Sequence, residues 1–122
     1  MSARAKFPTR YFGDKGEKFA KKFLYERGYK ILTTKFRCRF GEIDIVALKD
    51  GVLVFIEVKT RWSEKFGKPE EAVTPWKLQR IKRTAEYFSL LNSNLPKKLL
   101  IEVVAIEVRE ERVTKAKIIT VD

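Results

Sequence analysis

The chain has 122 residues, 44% hydrophobic and 35% charged, a composition that suits one folded domain with a modest core and not a disordered protein. Lys and Arg number 27 against 16 Asp and Glu, and this net charge of +11 favours a polyanionic partner, nucleic acid foremost. His is absent, which removes the usual zinc ligand and the usual base near neutral pH, and the single Cys38 excludes an internal disulfide framework.

No apolar run approaches the roughly 18 residues of a membrane-spanning helix, and the basic start "MSARAKFPTRYFG" lacks the apolar stretch of a signal peptide. The expectation is a cytoplasmic protein without a membrane partner, residues 1–122 forming one domain and residues 1–12, with Arg4, Lys6 and Arg10, a flexible basic arm. Asn occurs only at 92 and 94 and Gln only at 79 amid abundant Lys and Glu, which points to a thermophilic source.

In chain order, Asp14 is placed to cap a first helix that runs to about Arg27 and ends at Gly28, with Phe19, Ala20, Phe23 and Leu24 as its buried stripe. A strand follows at 29–37, then a hairpin at 41–60 turning on Asp50-Gly51, and a polar loop at 61–73. Thr74-Pro75 opens a second helix to about Leu91, which "NSNLP" terminates. Leu78, Ile81, Ala85 and Phe88 line its core side. Strands at 99–108 and 113–121 complete the order α-β-β-β-α-β-β, an α/β (α+β) fold with a central mixed sheet flanked by helices.

The hairpin carries the chemistry. With Asp50 and Gly51 as its loop, Asp44 lies opposite Glu57 and Glu42 opposite Lys59, and alternation places these four charges on one face with Val46, Leu48, Leu53 and Phe55. The other face, Ile43, Ile45, Ala47, Val54, Ile56 and Val58, is apolar throughout. A hairpin apolar on both faces belongs in the middle of a covered sheet, where an unpaired ion costs several kcal/mol. Directly opposed carboxylates repel, but are well placed to share one Mg²⁺, with Lys59 beside it to orient a water or stabilise phosphoryl charge. The alternative from the same residues is a set of surface salt bridges at the open end of the hairpin, Glu42 with Lys59 among them.

"GEIDIVALKDGVLVFIEVKTR", together with "GEKFAKKFLYERGYKIL", "FGKPEEAVTPWKLQRIKRTAEYF" and "LLIEVVAI", resembles the YraN family of small bacterial proteins. That family is similar to the restriction-endonuclease-like superfamily, with its Asp and Glu-x-Lys nuclease motif, and especially to the archaeal Holliday-junction resolvases. The resemblance implies catalytic roles for Asp44, Glu57, Lys59 and Glu17. Asp44, Glu57 and Glu17 would hold Mg²⁺ or Mn²⁺, and Glu42 would support them from behind. Glu17 also stands three residues after Asp14, the place of a capping-box glutamate. Lys35 stands where the family often has Asn, and Glu102 where it often has Asp. A homodimer is implied as well.

Arg37, Arg39 and Arg61 flank the open end of the hairpin, and Lys77, Arg80, Arg83 and Tyr87 recur at three- and four-residue spacing on the second helix. The cations Arg37, Arg39, Arg61, Lys77, Arg80 and Arg83 are the candidate DNA contacts, against the alternative of a merely solvated helix face. The expected function is a metal-dependent nuclease for structured or branched DNA. The rival is a non-catalytic module that binds nucleic acid or another partner while keeping the nuclease fold.

Overall fold

The computed structural model describes residues 9–61 and 73–122, with side chains from Asp14 onward. The start of the expected basic arm, up to residue 8, and residues 62–72 of the expected polar loop lie outside the described residues.

The elements are α1 (Thr9–Tyr25), β1 (Lys30–Cys38), β2 (Gly41–Lys49), β3 (Val52–Arg61), α2 (Pro75–Leu91), β4 (Leu99–Arg109) and β5 (Arg112–Thr120). They form one five-stranded sheet in the order β1-β2-β3-β4-β5, as the α-β-β-β-α-β-β reading expects. Only the β3–β4 pair is parallel, with α2 in the crossover between them; the other neighbours are antiparallel. Each face of the sheet carries one helix. Ala20 and Leu24 of α1 pack on Ile45, Ala47, Val54, Ile56, Val104 and Ile106. Ile81, Ala85 and Phe88 of α2 pack on Val46, Leu53, Phe55, Ile101 and Val103. The three central strands are thus covered on both sides, which is why they read as nearly continuous apolar runs.

The expected turn and caps form as local chemistry requires. Asp50 and Gly51 both have positive φ, 50° and 75°, and the ladder pairs Lys49 with Val52 up to Ile45 with Ile56. Thr74 accepts a hydrogen bond from the Lys77 N–H at 3.2 Å, ahead of Pro75 in the first turn of α2. At the end of α1, Gly28 donates to the Tyr25 carbonyl and Tyr29 to the Leu24 carbonyl, the paired closure of a Schellman motif.

The start of α1 differs from expectation. The helix begins at Thr9, so residues 9–12, expected in the arm, are helical, and Asp14 lies inside the helix and pairs with Lys35 at 3.3 Å. Asp14 is therefore no cap, and Glu17 is no capping-box residue; the turn before Asp14 simply continues the helix. Gly16 sits where α1 crosses β3, and a Cβ there would run into the Thr60 hydroxyl.

A buried acid ties β4 to both flanks. Glu102, 7% exposed, accepts from the Tyr29 hydroxyl at 2.7 Å and from the Thr120 hydroxyl at 3.0 Å. Burial, then the Glu102 bond and charge, raise the Tyr29 pKa, so the phenol stays a donor. Tyr29→Phe would remove one of those donors from a buried carboxylate. Urea denaturation should show a loss of about 1–3 kcal/mol; an unchanged midpoint would mean that Glu102 does not depend on that bond.

Candidate active site

Asp44 occupies a fault in the middle strand. The β1–β2 ladder pairs Thr34 with Ile45 and Phe36 with Ile43 but omits Lys35 and Asp44 between them, and Lys35 has a φ of 54°. On the other side the β2–β3 ladder stops at Ile45–Ile56. The Asp44 carboxylate fills the gap, accepting the Val58 N–H at 2.7 Å where a strand carbonyl would otherwise be expected. Across this fault the strand changes face. Ile45 and Ala47 pack under α1, whereas Ile43 packs with Val46 under α2. Alternation had placed Ile43 with Ile45; one left-handed residue and one unpaired residue are enough to break that period.

Glu57 is 9% exposed and lies beside Asp44. Lys77 of α2 makes a close ion pair with it, and the Lys59 ammonium lies 3.5 Å from the same oxygen. Burial above all, and next the Glu57 charge, push the Asp44 pKa up to about 7. The Val58 N–H pulls it partly back, while hydrogen bonding to Glu57 and the more distant Glu17 charge raise it further. Asp44 thus resists ionisation, as a carboxyl brought out of water beside a like charge must. Burial and the neighbouring Lys77 lower the Lys59 pKa against the pull of Glu57. Burial opposes the charge on Lys77 too, but its bond to Glu57 prevails and raises its pKa.

Of the residues singled out in the sequence, Asp44, Glu57, Lys59 and Lys77 converge. Glu42 does not face Lys59; it forms an ion pair with Arg37, its directly opposed neighbour on β1, because the ladder between β2 and β3 has already ended. Glu17 on α1, half-buried, adds charge to the field at Asp44, and burial raises its own pKa. Among the described residues no three His, Cys, Asp or Glu side chains come together as a metal cage, so the pair Asp44 and Glu57 stands without Glu17 as a third close donor.

Arg80 donates to the Phe40 carbonyl at 3.1 Å and stacks over Trp76, while Arg39 lies over Phe40, 4.8 Å from the ring centre. Arg83 and Arg37 line a groove between the β1–β2 turn and α2. Arg61, at the end of β3, does not line it. Sequence reasoning passed over Trp76 and Phe40. Their signal was available in the spacing of Trp76 to Arg80 and in the two-residue turn that Arg39 and Phe40 make between Cys38 and Gly41.

Two adjacent oxygen-donor carboxylates, with lysines rather than nitrogen or sulfur ligands beside them, would suit a hard cation that keeps water or phosphate in its shell, such as Mg²⁺ or Mn²⁺. They do not fit zinc, which prefers nitrogen and sulfur donors.

Residues 16–106 match the family described as "Uncharacterised protein family UPF0102". A UPF0102 protein of Caldicellulosiruptor saccharolyticus is 52% identical over 79 residues, 65% of this chain and 67% of the relative. One from Caldicellulosiruptor bescii is 58% identical over 73 residues, 60% of this chain and 61% of the relative, so the match spans less than two thirds of that protein. A third, from Thermodesulfovibrio yellowstonii, is 49% identical over 85 residues, 69% of this chain and 76% of the relative. The matched stretch contains the Asp44 fault, the Glu57–Lys59 pair and Lys77, and the chain belongs to the UPF0102 family, which is the YraN family that the hairpin resembles.

Proposed function

We propose that the chain is a Mg²⁺- or Mn²⁺-dependent nuclease acting on structured or branched DNA. The observation that carries this reading is the buried Asp44–Glu57 pair, set at a gap between two strands and faced by two lysines. A fold that only needed stability would gain from apolar residues there. Asp44 and Glu57 would hold the ion. Once bound, it would polarise the scissile phosphodiester and lower the pKa of a bound water. Lys59, beside the carboxylates and with its pKa lowered chiefly by burial, is suited to orient an attacking water. Lys77, released from Glu57, would meet a phosphate oxygen. The net charge of +11 supplies the attraction for the DNA backbone.

One observation favours a second reading. Lys77 and Lys59 both pair with Glu57, and a purely structural cluster would be compensated in the same way. A non-catalytic nucleic-acid-binding module would keep that arrangement.

Calorimetric titration with Mn²⁺ separates the two readings. The native chain should bind, and Asp44→Asn and Glu57→Gln should each abolish binding. No heat with the native chain would refute the nuclease reading, and would leave the lysine-clamped cluster as structure.

The pH dependence follows from the same pair. The folded-state pKa of Asp44, about 7, lies above the ordinary 3.8, so its contribution to stability is full below about pH 4 and is lost as pH rises through 7. Asp44→Asn keeps an acceptor for the Val58 N–H without the charge. It should raise stability at pH 8 by on the order of 2–4 kcal/mol, yet change little at pH 4. Mn²⁺ binding should strengthen from pH 6 to pH 8 and release a proton, because the ion displaces the one that Asp44 holds. Equal stability of the two chains at pH 8 would contradict a strained carboxyl pair.

A further inference from the structure

Trp76, Arg80, Arg83, Tyr87 and Leu90 follow one another at intervals of four, three, four and three residues, so they form a single stripe along α2. The stripe is about 21 Å long at 1.5 Å per residue. It points outward: Trp76 is 69% exposed, Leu90 80% and Tyr87 38%. It starts beside Lys77, whose ammonium is on Glu57, and runs away from the carboxylates.

The β1–β2 turn extends this stripe into a groove of about 940 Å³. Phe40 stands edge-on to Tyr87 with ring centres 6.0 Å apart, and Arg39 covers the outer side of Phe40. The turn is held in place. The Phe40 carbonyl accepts from Arg80, and a side chain at Gly41 would approach the buried Thr84 hydroxyl to 3.2 Å. Around the aromatic and aliphatic floor stand Arg37, Arg39 and Arg83, with Glu86 as the acidic member of the lining.

We infer that this groove and the α2 stripe leading into it hold an unpaired stretch of a nucleic-acid strand, its bases stacked on Tyr87 and Phe40 in the groove and on Trp76 at the head of the stripe, and its phosphates on Arg39 and Arg83 in the groove and on Arg80 beside it. The inference rests on the nuclease reading for the strand's being a substrate, and it names the feature selected, a single-stranded segment beside the cut. A duplex buries its base faces in its own stack, so exposed rings alternating with guanidiniums have nothing there to bind. An unstacked strand offers a π-face at every base and a charge at every phosphate. An acidic peptide would satisfy the arginines but leave the rings in water, and a lipid surface would need a broad apolar face without charges across it.

The test is fluorescence anisotropy with a labelled oligothymidylate and a labelled blunt duplex of equal length, both in EDTA so that no cleavage intervenes. The native chain should prefer the single strand. Tyr87→Ala and Trp76→Ala should each weaken single-strand binding about fivefold or more while changing duplex binding less than about twofold. Arg83→Ala should weaken both, with a shallower salt dependence. Tyr87→Ala should keep the native melting temperature and Mn²⁺ affinity, which separates loss of this surface from misfolding and from loss of the carboxylate site. No preference for the single strand, or equal losses on both oligonucleotides for Tyr87→Ala and Trp76→Ala, would overturn the inference while intact Mn²⁺ binding left the nuclease reading standing. Loss of Mn²⁺ binding alone would do the reverse. A dimer that Leu90→Asp dissociates without affecting strand binding would assign the groove to contact between copies of the chain, and would overturn the inference as well.

Discussion

Two carboxylates lie side by side in a sheet that is covered on both faces, and most of what is particular about this chain follows from accommodating them. Asp44 and Glu57 repel each other and have lost water, and no neighbouring apolar residue can compensate for that. The structure answers with a raised pKa at Asp44, one backbone N–H from Val58 to Asp44 and two ammonium groups, Lys59 and Lys77, at Glu57. Each of these is a partial remedy. A divalent cation is the remedy that would satisfy both carboxylates at once, which is why the repulsion between them supports the functional reading.

The geometry that makes room for the pair comes from the strands themselves. β2 is paired with both neighbours from Ile45 to Leu48, and at Asp44 it is paired with neither. The Lys35 backbone in the left-handed region loosens one side, and the end of the β2–β3 ladder loosens the other. β3 keeps its register with β4 past this point, through Lys59 and on to Arg61, so the Glu-x-Lys segment remains rigid while its partner strand turns away. α2 then brings Lys77 to Glu57 from one end of a helix whose outer stripe carries Trp76, Arg80, Arg83 and Tyr87. Chemistry and the proposed strand-binding surface thus share one rigid element, set in place by the Thr74 cap at its start and by the Arg80–Phe40 contact along its length.

Features fixed by neighbouring residues were legible in the sequence. The Asp50-Gly51 turn set the register of the hairpin, Thr74-Pro75 set the start of α2, and Gly28 set the end of α1. The proximity of Asp44 and Glu57 followed from that register. Features that depend on distant parts of the chain were not legible. Strict alternation cannot anticipate the change of face at Asp44, because its cause lies on β1, at Lys35, whose backbone is in the left-handed region. Glu42 was assigned to Lys59 by extending a ladder that the Asp44 side chain in fact ends. Asp14 has the chemistry of a cap, yet the residues before it continue the helix, so its capping potential goes unused. Phe40 joins the aromatic surface only because the β1–β2 turn folds onto α2, a contact spanning 40 residues.

The central claim is that Asp44 and Glu57 form a strained pair, protonated at Asp44 and built to receive a cation. It is tested most directly by following the Asp44 side-chain carboxyl carbon by NMR across a pH titration, first without and then with Mg²⁺. The account requires a midpoint near 7 without the ion and a fall of more than about one unit when Mg²⁺ is added, since the cation takes the place of the Asp44 proton. A midpoint near the ordinary value of 3.8, or one near 7 that Mg²⁺ does not move, would contradict it.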